Sequence, residues 1–225
     1  MIPYNPEKAL ISIHIPKCAG QSLTPVLRQW YGDRFYTHYN PPGGPPPKKR
    51  ELRPGICIHG HFHMNAGIGI PHYYPEADQF ITFLRDPVEI HVSNYFFWKT
   101  KARPKQVNAG IIQEGGPHDY RNIDDFFRMR PLSHIYKYMP EPVTEENYQD
   151  ILVNKFVWIG FVSKMRESIS RLASRLGFEP SPVPHINPSP RDEKISDRAL
   201  QKFMDNNKLA FHIYRKAWEL YGMEE

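Results

Sequence analysis

Three short stretches of this sequence carry residue types that handle anions and protons. The first is HIPKCAGQS, His14 to Ser22, placed between an apolar run and a helical pattern. A loop that ends at a helix N-terminus presents unpaired N–H groups at the positive end of the helix dipole, which together form an anion site. Lys17 adds a point charge and Ser22 a hydroxyl donor, while Ala19-Gly20 lets the backbone approach an anion closely. This is phosphate-loop logic, although Gly-x-x-x-x-Gly-Lys-Ser/Thr places the lysine after the second glycine and here Lys17 precedes Gly20. An ordinary strand-to-helix turn has the same outline.

The second stretch is LRDPVEIHVSNYFFW, Leu84 to Trp98. Arg85 at a strand end offers a rigid fork of donors suited to phosphate, or a structural salt bridge. Asp86-Pro87 reads as an N-cap followed by an N1 proline. Ser93 lies seven residues after Asp86, two helical turns along, and can add a donor from the same side. The third stretch is HGHFH, with His59, His61 and His63 at alternate positions. On an extended segment the three share a face, so a metal site, a general base and ordinary satisfied histidines all remain open. No acidic or cysteine partner at a fixed close spacing strengthens the metal reading.

The elements around these stretches follow from periodicity. Leu10 to Ile15, Ile56 to His59, Gln79 to Leu84 and Val157 to Val162 read as buried strands. Helical patterns begin at Gly20 and at Asp86-Pro87, the latter reaching about Lys101, and others cover Asn122 to Met129, Thr144 to Lys155 and Ser163 to Leu176. Pro25 falls within about the first turn of its helix, where a missing N–H is cheapest. A long helical pattern from Ile195 to Tyr221 is interrupted near Asn206-Asn207. Strands alternating with helices predict an α/β fold with a mainly parallel central sheet flanked by helices, as one domain over 1–225. In such sheets ligands bind at the C-terminal edge of the strands, which is where all three stretches fall.

Composition narrows the function further. At 225 residues and 26.4 kDa, with 40% hydrophobic residues, the chain can bury a sizeable core and is neither a peptide hormone nor a disordered protein. The excess of 29 Lys+Arg over 24 Asp+Glu, net +5, suits an anionic ligand and is too small to imply nucleic acid. Two cysteines make no disulfide framework, and neither a signal peptide nor an apolar run of ~20 residues is present, so no membrane span and a cytoplasmic location are expected. Ten of the 23 prolines fall in two segments, Pro41 to Pro47 and Pro180 to Pro190, which read as surface loops.

Taken together the motifs resemble a known family. HIPKCAGQSL is similar to the HIPKTAGTSL-type 5′-phosphosulfate loop, and LRDPVEIHVSNY to the 3′-phosphate motif, of carbohydrate sulfotransferases that use 3′-phosphoadenosine 5′-phosphosulfate (PAPS). HGHF resembles the His-Gly-His segment of the heparan sulfate 2-O-sulfotransferase branch. The order and spacing agree, and WIGFVSKMRESISRLASRLGF with the tail from Asn187 to Tyr221 matches more loosely.

The resemblance implies a P-loop-like nucleotide-binding fold and sulfuryl transfer to a hydroxyl of a saccharide-like acceptor, with PAPS as co-substrate and no metal. Lys17 would then stabilise the leaving phosphate, His61 remove the acceptor proton, and His59 orient the base or the acceptor. Backbone N–H groups of Cys18, Ala19, Gly20 and Gln21 with the Ser22 hydroxyl would hold the 5′-phosphosulfate, and Arg85 with Ser93 the 3′-phosphate. A later loop carrying Asn187, Ser189 and Arg191 would close over the nucleotide. Cys18 and Gln21 replace threonines usual in the first loop, which removes a hydroxyl donor and introduces a thiol of possible reactivity. The membrane anchor of Golgi relatives is not expected, which favours a bacterial-type soluble member. Two other readings compete: an ATP-dependent kinase with Asp86 holding Mg²⁺, and a non-catalytic metal- or polyanion-binding module using the histidines and Lys48-Lys49-Arg50.

Overall fold

The four apolar runs become neighbours in one parallel sheet. The computed structural model describes residues 1–40, 44–109, 111, 119–130, 133, 135–182 and 191–222. Its elements run in the order β1 (Leu10–Ile13), α1 (Gly20–Tyr31), β2 (Phe35–His38), β3 (Cys57–Gly60), α2 (Ile70–Tyr73), β4 (Phe80–Leu84), α3 (Pro87–Phe97), α4 (Arg103–Asn108), α5 (Ile123–Met129), α6 (Tyr148–Asn154), β5 (Phe156–Phe161), α7 (Met165–Leu176), α8 (Asp197–Asn206) and α9 (Lys208–Tyr221). The strands lie in the order β2-β3-β1-β4-β5, every adjacent pair parallel. The protein is therefore α/β, with helices flanking the sheet.

The reason is burial. All residues of β1, β3, β4 and β5 are buried, as a parallel strand covered on both faces requires. The edge strand β2 is the exception: of its four residues FYTH only His38 is buried, so it lacks the apolar run that marks the others and is not evident from the sequence. Helix α1 packs against β2 and β3, while α6, α7 and α9 pack on β5. A second cluster of buried apolar residues, including Tyr95, Phe96, Phe126 and Phe203, joins α3 to α5 and α8.

Local signals place the helix ends. Asp86 caps α3 by accepting from the N–H groups of Val88 (2.9 Å) and Glu89 (3.1 Å), with Pro87 as the first helical residue. Asn122 caps α5 and Ser196 caps α8. The final helical pattern breaks at Asn207, between α8 and α9. Other boundaries shift. Helix α6 starts at Tyr148 because Thr144 to Asn147 forms a turn closed by the Asn147 side chain, and α7 starts at Met165 after a 3₁₀ turn at Val162–Lys164. Pro25 sits in the second turn of α1, not the first, so the Gln21 carbonyl is left without its usual backbone donor.

The order of strands also places a crevice. From β1 the chain turns to the β2-β3 side of the sheet, whereas from β4 it moves to β5 on the other side. The loops after β1 and β4 therefore diverge, and between them lies the topological switch point at which such sheets bind ligands.

Candidate active site

The loop after β1 is shaped by two residues in the left-handed region, Lys17 at φ 69° and Ala19 at φ 59°. Neither is a glycine, and holding a side chain there costs about 1–2 kcal/mol per residue. The strain folds the loop tightly onto the start of α1. The Cys18 N–H closes a turn on the Ile15 carbonyl (3.0 Å), while Ser22 and Leu23 donate to the Ala19 carbonyl. The N–H groups of Ala19, Gly20 and Gln21 have no acceptor among the described residues, nor does the Ser22 hydroxyl. A helix N-terminus with no side-chain cap and a cluster of free donors is suited to an oxyanion. Cys18, expected to contribute its N–H, spends it internally.

One arginine reaches this loop from the end of β4. Arg85 donates from Nη1 to the Lys17 carbonyl (3.4 Å) and from Nη2 to Glu89 Oε2 (3.0 Å). Arg191 reaches the same carboxylate through both of its terminal nitrogens, at 3.1 and 2.9 Å. Arg85 and Arg191, far apart in sequence, thus share Glu89. Burial alone would raise the Glu89 pKa, but Arg191 and then Arg85 hold it below the usual carboxylate range. Ser93 lies one turn beyond Glu89 on α3 and is half-buried. Lys17 lays its ammonium 4.3 Å from the centroid of the Phe97 ring, and burial, then Arg85, lower its pKa. Asn187 and Ser189 lie outside the described residues, as do parts of both proline-rich loops.

The histidines do not act as a row. His59 is at 0% exposure, with Nδ1 bonded to the Ser12 hydroxyl at 2.9 Å and Nε2 buried without a partner. Its side chain is therefore sealed from any acceptor, and of the two expected roles only orientation of neighbouring groups fits. His61 is half-buried, and its Nδ1 lies 2.7 Å from the His14 carbonyl. A carbonyl only accepts, so Nδ1 carries the hydrogen and Nε2 of the neutral ring bears the lone pair. Burial lowers the His61 pKa from 6.5, partly countered by the bond to His14 and reinforced by His63. His63 packs edge-on against Tyr138, at 5.0 Å between centroids, and His61 meets the same ring at 6.0 Å. Among the described residues no three His, Cys, Asp or Glu side chains are placed to share a metal ion.

A fourth histidine completes the cluster. His14 stacks on His61 (4.4 Å, 26°) and on His59 (5.4 Å, 10°), and its Nδ1 lies 2.9 Å from the Tyr39 hydroxyl. Its ring occupies the space where a Cβ on Gly20 would stand, with Nε2 only 2.0 Å from that position. This explains the glycine at the first position of α1. Gly60 is required for a similar reason, since a Cβ there would strike the His38 carbonyl. Ser12 and His14, two polar residues on one side of an otherwise apolar run, were the available sequence signal for this cluster. Glu89, four residues after Arg85, has the spacing of a helical ion pair and forms the structural salt bridge that is the other reading of Arg85, whereas Phe97 offered no comparable signal.

The two substitutions in the loop have distinct consequences. Gln21 is exposed at the start of α1, and its N–H remains free among the described residues. Cys18 is buried and its thiol is pushed up to about 12, burial outweighing the nearby Arg85, so it is neither a thiolate nor a reactive group.

No protein-family model and no curated protein matches this sequence. Among solved structures, the chain is similar to mouse sulfotransferase SULT7A1 complexed with PAP, with a TM-score of 0.45 and 10% identity over 88% of this chain and 63% of that one. It is also similar to retinol dehydratase in complex with androsterone and the inactive cofactor PAP, with a TM-score of 0.37 and 12% identity over 96% of this chain and 68% of that one. The chain thus spans less than two thirds of the first of these structures. Among the described residues no helix is long and apolar enough to cross a membrane.

Proposed function

We propose that this protein is a sulfotransferase that moves the sulfuryl group of PAPS to a hydroxyl of a carbohydrate-like acceptor. The observation that carries the reading is the bond from His61 Nδ1–H to the His14 carbonyl at 2.7 Å, which leaves a basic nitrogen beside an anion-ready loop. When bound, PAPS supplies an activated sulfuryl group whose departure leaves charge on the 5′-phosphate.

The chain's own residues match those demands. The free N–H groups of Ala19, Gly20 and Gln21 and the Ser22 hydroxyl are donors for the phosphosulfate, and preorganised donors stabilise charge as it develops. Lys17, the cation carried by the loop itself, is the group for the leaving oxygen. Arg85, with Arg191 beside it through Glu89 and Ser93 one turn on, offers a second anion position for the 3′-phosphate. His61 is neutral at pH 7 and takes the acceptor proton at Nε2, while His59 and Ser12 support the stacked rings from below.

The kinase reading has less support, because Asp86 Oδ1 is already engaged by two backbone N–H groups as a helix cap. A thermal-shift comparison separates the two. Stabilisation by 3′,5′-adenosine bisphosphate is expected, about 2.7 kcal/mol at 100 times its dissociation constant. Stabilisation by Mg-ATP alone would reject the sulfotransferase. Labelled PAPS offered with a panel of saccharides and small alcohols then tests the acceptor class.

A further inference from the structure

The His14 side chain belongs to none of the roles given above, yet it lies against the histidine pair and the start of α1. Its carbonyl fixes His61, its ring stacks on both His59 and His61, and the same ring, through Cε1, Nε2 and Cδ2, covers Gly20 at the first position of α1, the end of the helix that attracts anions. Nδ1 is paired with the Tyr39 hydroxyl, and Nε2 has no hydrogen-bond partner among the described residues. We propose that His14 is an anion-binding residue of this loop, donating from Nε2–H to an oxygen of the phosphosulfate while Tyr39 donates to Nδ1.

The chemistry follows from the partners. A hydroxyl donates or accepts, so the His14–Tyr39 pair can present either a lone pair or an N–H at Nε2 without adding charge. Facing an anion, the arrangement with the phenol donating to Nδ1 places the hydrogen on Nε2. Burial keeps both groups uncharged: the His14 pKa falls to about 2, and the phenol of Tyr39 is pushed up to about 12. A neutral donor at this point complements Lys17, because it strengthens anion binding without repelling the proton that His61 acquires.

The proposal rests on the sulfotransferase reading, and calorimetric titration with 3′,5′-adenosine bisphosphate keeps the two separable. In His14→Gln the side-chain amide donates from near the Nε2 position, whereas His14→Phe keeps the stacked ring and loses the donor. The nucleotide is expected to bind His14→Phe at least about tenfold more weakly than wild type, and His14→Gln within about threefold of it. A residue that merely packs would give the reverse order, and that order, or equal affinity of His14→Phe and wild type, overturns the proposal. If His14→Phe does not fold, Tyr39→Phe decides: weaker binding by about threefold or more supports the proposal, and unchanged binding overturns it. Failure of wild type to bind the nucleotide at all rejects the sulfotransferase reading itself, and this proposal with it.

Discussion

The Lys17 ammonium rests 4.3 Å from the centre of the Phe97 ring, joining the loop after β1 to the last residue of α3. Phe97 is 47% exposed, unusual for a large apolar side chain, and the contact explains its place at the mouth of the site. A cation over an aromatic face is worth about 0.5–2 kcal/mol. Phe97→Ala should therefore lower kcat by roughly threefold to twentyfold with little change in nucleotide affinity, because the ammonium loses its seat and not its charge. Phe97→Tyr should restore the rate and Phe97→Leu should not. Steady-state kinetics with saturating nucleotide reads this, and equal rescue by leucine would reduce Phe97 to a packing residue.

His61 and Arg85 serve different steps, so their variants should differ in kind. His61→Ala removes the base and should cut turnover by about 10²–10⁴-fold while the nucleotide binds as before. Arg85→Ala removes the donor shared between the Lys17 carbonyl and Glu89, and should weaken nucleotide binding by about tenfold or more. Calorimetry on both variants with 3′,5′-adenosine bisphosphate provides the check. Equal loss of binding in the two would contradict the assigned division.

The Gly20–His14 contact predicts a coupled pair of substitutions. A methyl group on Gly20 would overlap the imidazole, so Gly20→Ala must displace the His14 ring and with it the stacking on His61. Overpacking of this kind costs about 1–3 kcal/mol. Urea melts should show that loss in the wild-type background and much less of it in His14→Ala, where the ring is gone. An undiminished cost in the double variant would mean that the strain lies elsewhere.

Acid stability follows from the buried rings. His14 and His59 are held neutral, their pKa values lowered to about 2 and about 3, chiefly by burial. Below the unfolded value near 6.5 the unfolded chain binds protons that the native protein refuses, so stability is complete above that pH and declines as pH falls toward 3. Each such histidine contributes a slope of about 1.4 kcal/mol per pH unit inside that window. Urea midpoints measured from pH 7.5 to 4.5 should fall steeply, and replacing His59 by Phe should flatten the slope even if it lowers stability at pH 7.5. An unchanged slope in that variant would assign the acid sensitivity to other groups.

The legible part of the fold was the part governed by near neighbours. LISIHI and QFITFL read as strands because a strand buried on both faces must be apolar throughout, and Asp86-Pro87 read as a helix start because capping involves residues only two and three positions away. Strand β2 was missed because an edge strand carries no such constraint. Helix α1 begins at Gly20 as its pattern predicts, which puts Pro25 in the second turn and not the first.

In the same way, the sequence alone determined an α/β chain, a loop suited to an anion after the first strand, an arginine at the end of β4 and a histidine-rich segment after β3. These are matters of residue type and short spacing. Only the tertiary structure decided that His61 is tied through Nδ1 to a carbonyl 47 residues away, that His14 stacks on its ring, and that Arg191 joins Arg85 on Glu89. Which nitrogen is the base depends on the parallel pairing of β1 with β3, and which cations stand together depends on the segment before α8 bringing Arg191 to Glu89, contacts that no local pattern encodes.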